Sequence, residues 1–221
     1  MKTKMNNKVK ALLMACCAVL LVFASVIGTL AYLTDTKTVT NTFTVGNVQI
    51  KLDEAQVNPE TGKKISSEVR ISGPQATNSY KILPGRTIDK DPTVTVLSGS
   101  EECYVRAIVT LTVSGGSGKA QTNMNALIDS AKTTSDAHFT WTLKSENTAQ
   151  VVYEVRYNTA VSQNGNDQPF VLFETIDIPS GWNNADLTAL QGLKIEIEAH
   201  AIQAESFANA DAAWAAFDAQ P

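Results

Sequence analysis

Several segments of the chain alternate apolar and polar residues, and this pattern limits what they can form more than any other feature. The alternation runs through residues 42–52, 103–113 and 193–202, and the second segment is rich in β-branched side chains. A period of two places apolar side chains on one face of an extended segment, as in a half-buried strand. These three segments are therefore predicted to be strands.

Shorter segments complete the predicted pattern of strands, with turn residues between them. We expect further strands at 67–71, 92–96, 138–144, 151–157 and 170–178, and helical segments at 124–131, 185–191 and 209–219. In the last helix Phe207, Ala210, Trp214 and Phe217 recur at helical spacing, so one face can pack on the body. About eight strands without βαβ alternation predict a mainly β fold, an antiparallel two-sheet sandwich of jelly-roll type.

The N-terminus has the three parts of a secretory signal peptide. Four lysines precede an uncharged, apolar run over residues 11–31, which ends in the small residues of Thr29-Leu30-Ala31. We predict cleavage after Ala31, which makes Tyr32 the first residue of the mature protein. Residues 1–31 are then the signal peptide and 32–221 a single secreted domain.

Two alternatives to cleavage after Ala31 are open. The apolar run is about as long as a membrane span, so an uncleaved segment would anchor the chain to the membrane. Leu13-Met14-Ala15-Cys16 resembles a lipidation motif, but Cys16 lies early in the apolar run and little of that run precedes it. Signal-peptide cleavage is the preferred interpretation, since the sequence turns polar at residues 34–37.

Charge and cysteine content restrict the partners and the stabilisation of the mature chain. Removal of the four signal-peptide lysines leaves 14 Lys and Arg against 22 Asp and Glu, a net charge near −8. This balance argues against nucleic acid or an anionic membrane surface as a partner. Only Cys103 remains after cleavage, so an intramolecular disulfide is impossible, and we expect a buried thiol.

A search for catalytic motifs finds none. The two histidines, His138 and His200, lie in strand-like segments and belong to no metal-binding motif such as H-E-x-x-H. A serine-nucleophile motif of the G-x-S-x-G type is also absent. We therefore predict no catalytic residues, no metal site and no cofactor.

Several stretches resemble the TasA and camelysin proteins of Gram-positive bacteria, which carry signal peptides cut by the dedicated peptidase SipW. The stretches are GTLAYLTD at 28–35, TNTFTVGNVQI at 40–50, KILPG at 81–85, KDPTVTV at 90–96, AIQA at 201–204 and AWAAF at 213–217. The resemblance implies a SipW-type peptidase as a partner and a jelly-roll domain. It also implies a structural role outside the cell, in fibres of the biofilm matrix.

The resemblance further implies head-to-tail assembly by donor-strand exchange. The mature N-terminal segment, here residues 32–47, would complete the sheet of the next copy, with Val39, Phe43 and Val45 as apolar plugs. The local alternative is that residues 42–52 are simply the first strand of their own sheet. Two other functions stay open: a camelysin-type cell-surface metalloendopeptidase, and a monomeric surface binding module.

Overall fold

A computed structural model describes residues 47–66, 68–73, 77–162 and 164–220 of the chain. The chain divides into two compact units, Met1–Val45 and Gly46–Pro221, and the described residues belong to the second. The predicted signal peptide, the cleavage site at Ala31 and Tyr32, and the plugs Val39, Phe43 and Val45 lie outside the described residues.

The second unit is mainly β and contains ten strands and three helices in its described part. The strands are β1 Ile50–Ala55, β2 Arg70–Ser72, β3 Thr87–Asp89, β4 Thr93–Val96, β5 Cys103–Thr112, β6 Phe139–Glu146, β7 Gln150–Tyr157, β8 Gln168–Val171, β9 Thr175–Asp177 and β10 Lys194–Gln203. The helices are α1 Gly118–Thr133, α2 Asn184–Ala189 and α3 Ala210–Asp218.

The strands form three antiparallel sheets. Two have four strands, in the orders β2-β1-β4-β8 and β10-β5-β7-β6, and the third pairs β3 with β9. One hydrophobic core takes residues from both four-stranded sheets and from α1: Val94 and Val96 of β4, Val105, Val109 and Leu111 of β5, Val151 and Val155 of β7, and Met124, Leu127 and Ile128 of α1. The core is therefore shared between the two four-stranded sheets.

Most predicted elements are confirmed, and the differences have local physical reasons. Residues 42–46 of the predicted first strand, 42–52, lie outside the described residues; in the described part, β1 begins at Ile50 and continues beyond the predicted end, through Asp53 and Glu54 to Ala55. The strand accommodates these two carboxylates because a cation neutralises each of them. Arg70 pairs with Asp53, and Lys90 pairs with Glu54.

The segment predicted as one strand at 170–178 is two strands, β8 and β9, which pair with β4 and β3 respectively. Consecutive burial of Leu172 and Phe173 breaks the alternation between them. Helix α1 begins six residues before the predicted helix at 124–131, because the Ser117 hydroxyl caps it by accepting from the Ala120 N–H at 3.0 Å. Strand β3 was not predicted.

Candidate functional site

The most distinctive surface of the second unit is one edge of β10. This strand pairs with β5 along its whole length of ten residues, from Lys194 opposite Thr112 to Gln203 opposite Cys103. Within the described ranges, no strand pairs with the other side of β10, and no further backbone hydrogen bond involves its residues. Its N–H and C=O groups on that side can therefore receive another strand.

The inner face of β10 is only partly covered. The side chains of this face pack on the core but are only half-buried: Ile195, Ile197, Ala199 and Ala201. Their partners on β5, from Leu111 to Val105, are buried. The same row of side chains thus remains partly open at the sheet edge. A strand added there would extend the sheet and bury this row further.

A cavity of about 590 Å³ opens beside the first residues of β10. Its aliphatic lining residues are Ile82, Ile88, Leu127, Ile176, Ile178, Leu193 and Ile195, and its other lining residues are polar or charged. A cavity of this size with a mixed lining can accept apolar side chains, together with a polar group, from a ligand or a neighbouring chain.

The polar part of the cavity lining includes a cluster of Glu54, Tyr80 and Lys90, in which Lys90 is buried and the other two are half-buried. The Lys90 Nζ donates to both carboxylate oxygens of Glu54, at 3.0 and 2.8 Å, and the Tyr80 hydroxyl donates to Glu54 Oε1 at 2.6 Å. Burial, together with the Glu54 carboxylate, raises the pKa of Tyr80 well above its ordinary value. The phenol therefore stays protonated and acts as a donor to Glu54.

The other sheet edges in the described part of the chain are less suited to strand addition. Strand β2 has three residues, and β8 has four, one of which is Pro169. Strand β6 is longer, but it is mostly exposed and its register with β7 shifts after Leu143. Short strands, proline, bulges and charged side chains are the usual protections of a sheet edge, and β10 has only the last of these, in Lys194, Glu196 and Glu198 on its exposed face.

A second cavity, of about 640 Å³, lies beside Tyr157 and Phe170, whose ring centres are 4.5 Å apart. His138, Asp136 and Glu174 also line it, and the Nδ1 of His138 lies 2.5 Å from Asp136 Oδ1. Hydrogen bonds from the backbone N–H and the ring of His138 hold the pKa of Asp136 below its usual value. This exposed pair closes a turn, and its chemistry points to no particular ligand.

The two histidines lie in different surroundings. His138 occupies the turn before β6 rather than the predicted strand, whereas His200 lies in β10 on the face opposite the apolar row, as predicted. His200 Nδ1 is 3.3 Å from the Nε of Arg106. Among the described residues, no group of three or more His, Cys, Asp and Glu side chains is placed to hold a metal ion.

Sequence reasoning identified the strand at 193–202 but not its role as a free edge. The polar cluster was also missed, because its members are separated by 26 and 36 residues along the chain and match no motif. The one available signal was Lys90 within Ile88-Asp89-Lys90-Asp91, a basic residue in a segment that is otherwise apolar and acidic.

In the described part of the chain no helix combines the length and the apolar character needed to cross a membrane. Comparison with family models, with curated proteins and with solved structures gave no match. A function can be argued from three features. These are the β10 edge that no described strand pairs with, the cavity beside it and the sequence of the N-terminal segment.

Proposed function

We propose that the mature chain is a secreted structural protein that assembles head to tail by donor-strand exchange. Residues 32–47 of one copy add as a strand to the free edge of β10 in the next copy. The observation that carries this proposal is the ten-residue edge of β10, which pairs with no strand in the described part of the chain and lies beside a partly apolar cavity. Backbone hydrogen bonds supply affinity in such an addition, and alternate side chains that fill pockets supply specificity.

The sequence of the donor segment suits this edge. In an extended conformation Val39, Asn41, Phe43 and Val45 share one face, and threonines at 38, 40, 42 and 44 share the other. The first face offers apolar side chains to the cavity. The second is polar and β-branched, which suits a solvent-facing strand surface.

The start of β1 favours donation to another copy over insertion into the same one. Strand β1 pairs with β4 along Ile50–Asp53 and with β2 along Asp53–Ala55, so β4 occupies one side of its first residues. The Asn47 carbonyl accepts from the Glu101 N–H at 3.1 Å, so pairing continues to the first described residue. From Asn47 to Glu54, at the cavity wall, seven residues of extended chain would span about 23 Å.

The proposal includes the finer architecture and the location. The two four-stranded sheets form the layers of a jelly-roll-like sandwich, which their shared core supports. The signal-peptide pattern and the resemblance to TasA proteins support cleavage by a SipW-type peptidase and a place in an extracellular biofilm matrix. The acidic mature chain is suited to this soluble, exported state.

The test compares secreted mature protein, which begins at Tyr32, with a chain that begins at Gly46 and retains the second compact unit. We expect fibres by electron microscopy from the first and monomers by light scattering from the second. A peptide of residues 32–47 should bind the shortened chain one to one. Equal assembly by the two chains, or no assembly by the mature protein, would refute the proposal.

A substitution in the acceptor provides a second test. Ile195→Lys places a charge in the apolar wall of the cavity, and we expect it to reduce peptide binding by roughly tenfold or more. Glu198→Lys is the matched control, since Glu198 lies on the exposed outer face of the same strand. Equal binding by the two variants would show that the donor does not enter this cavity.

A further inference from the structure

We infer that Asn41 of the donor segment sets the register of assembly by pairing with the Glu54–Tyr80–Lys90 cluster of the acceptor. This inference rests on the proposed strand exchange and specifies how the two copies align. It assigns a ligand, a side-chain amide, to the polar wall of the cavity.

The hydrogen bonding of Lys90 is incomplete within the described residues. Its side chain is only 6% exposed and lines the cavity. A lysine ammonium has three N–H groups. Among the described residues, their only hydrogen-bond acceptors are the two carboxylate oxygens of Glu54. One N–H of this nearly buried cation therefore has no hydrogen-bond acceptor among the described residues, although the Tyr80 ring centre lies 5.5 Å from the Lys90 Nζ. An acceptor that enters the cavity can pair with it, and a buried donor without an acceptor is costly.

The donor face offers a side chain whose chemistry suits this cluster. Between Val39 and Val45 the inward face carries one polar side chain, Asn41. An amide has both hydrogen-bonding functions, so its carbonyl oxygen can accept from Lys90 while its NH₂ group donates to Glu54. A purely apolar side chain would satisfy neither partner.

A strand with a repeating pattern can pair with its neighbour in more than one register. A slip of two residues keeps the same face inward, so backbone pairing alone discriminates poorly between such registers. The slipped strand would place Val39 or Phe43 against Lys90 and bury Asn41 against aliphatic side chains. A single buried polar pair therefore selects one register. We expect the population of each slipped register to be lower by roughly tenfold or more.

Disulfide cross-linking between copies measures the register directly. Each mature chain carries Thr42→Cys on the outer donor face and one acceptor cysteine on the exposed face of β10, at Lys194, Glu196 or Glu198. Copper phenanthroline is the oxidant, and native Cys103 is buried. Only residues directly opposite across two strands approach closely enough for a disulfide.

With Asn41 present, we expect one acceptor position to give at least tenfold more cross-linked product than the other two. Asn41→Leu should bring the best two positions to within about threefold. Thr40→Leu, on the outer face, is the matched control and should keep the single preference.

A single preference that survives Asn41→Leu would overturn the inference while leaving strand exchange intact. Failure of the otherwise native chain to assemble would instead refute the proposed function. Lys90→Met removes the partner of Asn41 on the acceptor and completes a double-mutant cycle with Asn41→Leu. In a chain with Lys90→Met, Asn41→Leu should change the cross-linking pattern less than twofold, and a full effect there would exclude the pairing.

Discussion

The guanidinium of Arg106 stacks on the indole of Trp214, with 4.4 Å between its central carbon and the ring centre. Arg106 projects from the outer face of β5, and Trp214 lies in α3. The same guanidinium bonds Glu154 of β7 at 3.1 Å and the carboxylate of Asp218 at the end of α3. One buried cation therefore attaches the C-terminal helix to a sheet face that the main core does not reach.

Arg106→Leu should destabilise the domain by about 3 kcal/mol, because it removes a major partner of a nearly buried carboxylate, Glu154, which is 2% exposed. Asp218→Asn is the control: the Asp218 side chain is 51% exposed, and we expect a loss below about 1 kcal/mol. Urea unfolding followed by tryptophan fluorescence measures both variants. Equal losses of stability in the two variants would show that the bond to Asp218 of α3 matters more than the buried Arg106–Glu154 pair.

Asp91 should make stability depend on pH in the acidic range. Burial opposes its ionisation, but hydrogen bonds from Lys64, the Ala55 N–H and Arg70 outweigh burial and hold its pKa below the ordinary value. A depressed folded-state pKa contributes stability above the unfolded pKa, about 3.9, and this contribution is lost as pH falls through the folded value.

Asp91→Asn should therefore cost about 1–3 kcal/mol at pH 7, and the difference from the native chain should shrink steadily below about pH 4. Urea unfolding at pH 7, 4 and 2.5 measures this trend. A difference that stays constant over that range would mean that the ionised carboxylate is not the source of the stability.

The Cys103 thiol should react slowly until the domain unfolds. It is completely buried, and burial together with the neighbouring Glu102 charge raises its pKa from 9.0 to about 11. At pH 8 this shift alone lowers the thiolate fraction by about 100-fold. Reaction with a chromogenic disulfide reagent should thus be at least about 100-fold slower in buffer than in urea, and comparable rates would contradict the burial.

The N-cap of α1 should contribute measurably to stability. The Ser117 hydroxyl accepts from the Ala120 N–H, and no acidic residue occupies the first turn of this helix. Ser117→Ala should cost about 1 kcal/mol and Ser117→Asp should cost little or stabilise slightly, because its carboxylate also caps and favours a helix N-terminus. Thermal unfolding compares them, and equal losses in the two variants would exclude a capping role.

Much of the secondary structure follows from local pattern. Strands β4, β5, β7 and β10 and helix α3 lie within one or two residues of their predicted bounds, because alternation and helical spacing report directly on which face is buried. Local pattern failed at Asp53 and Glu54, whose strand conformation depends on cations that arrive from distant positions. It failed again at Leu172 and Phe173, where both faces of the chain are buried.

By itself the sequence determined that the chain is mainly β, that its N-terminus has a signal-peptide pattern, and that the following segment alternates. Periodicity and charge are local properties, so they can be read without coordinates. Tertiary structure decided that β10 has one edge without a strand partner among the described residues, and it brought Glu54, Tyr80 and Lys90 together at a cavity. A strand's neighbours and a cavity's walls come from segments far apart in the chain, so no local pattern encodes them.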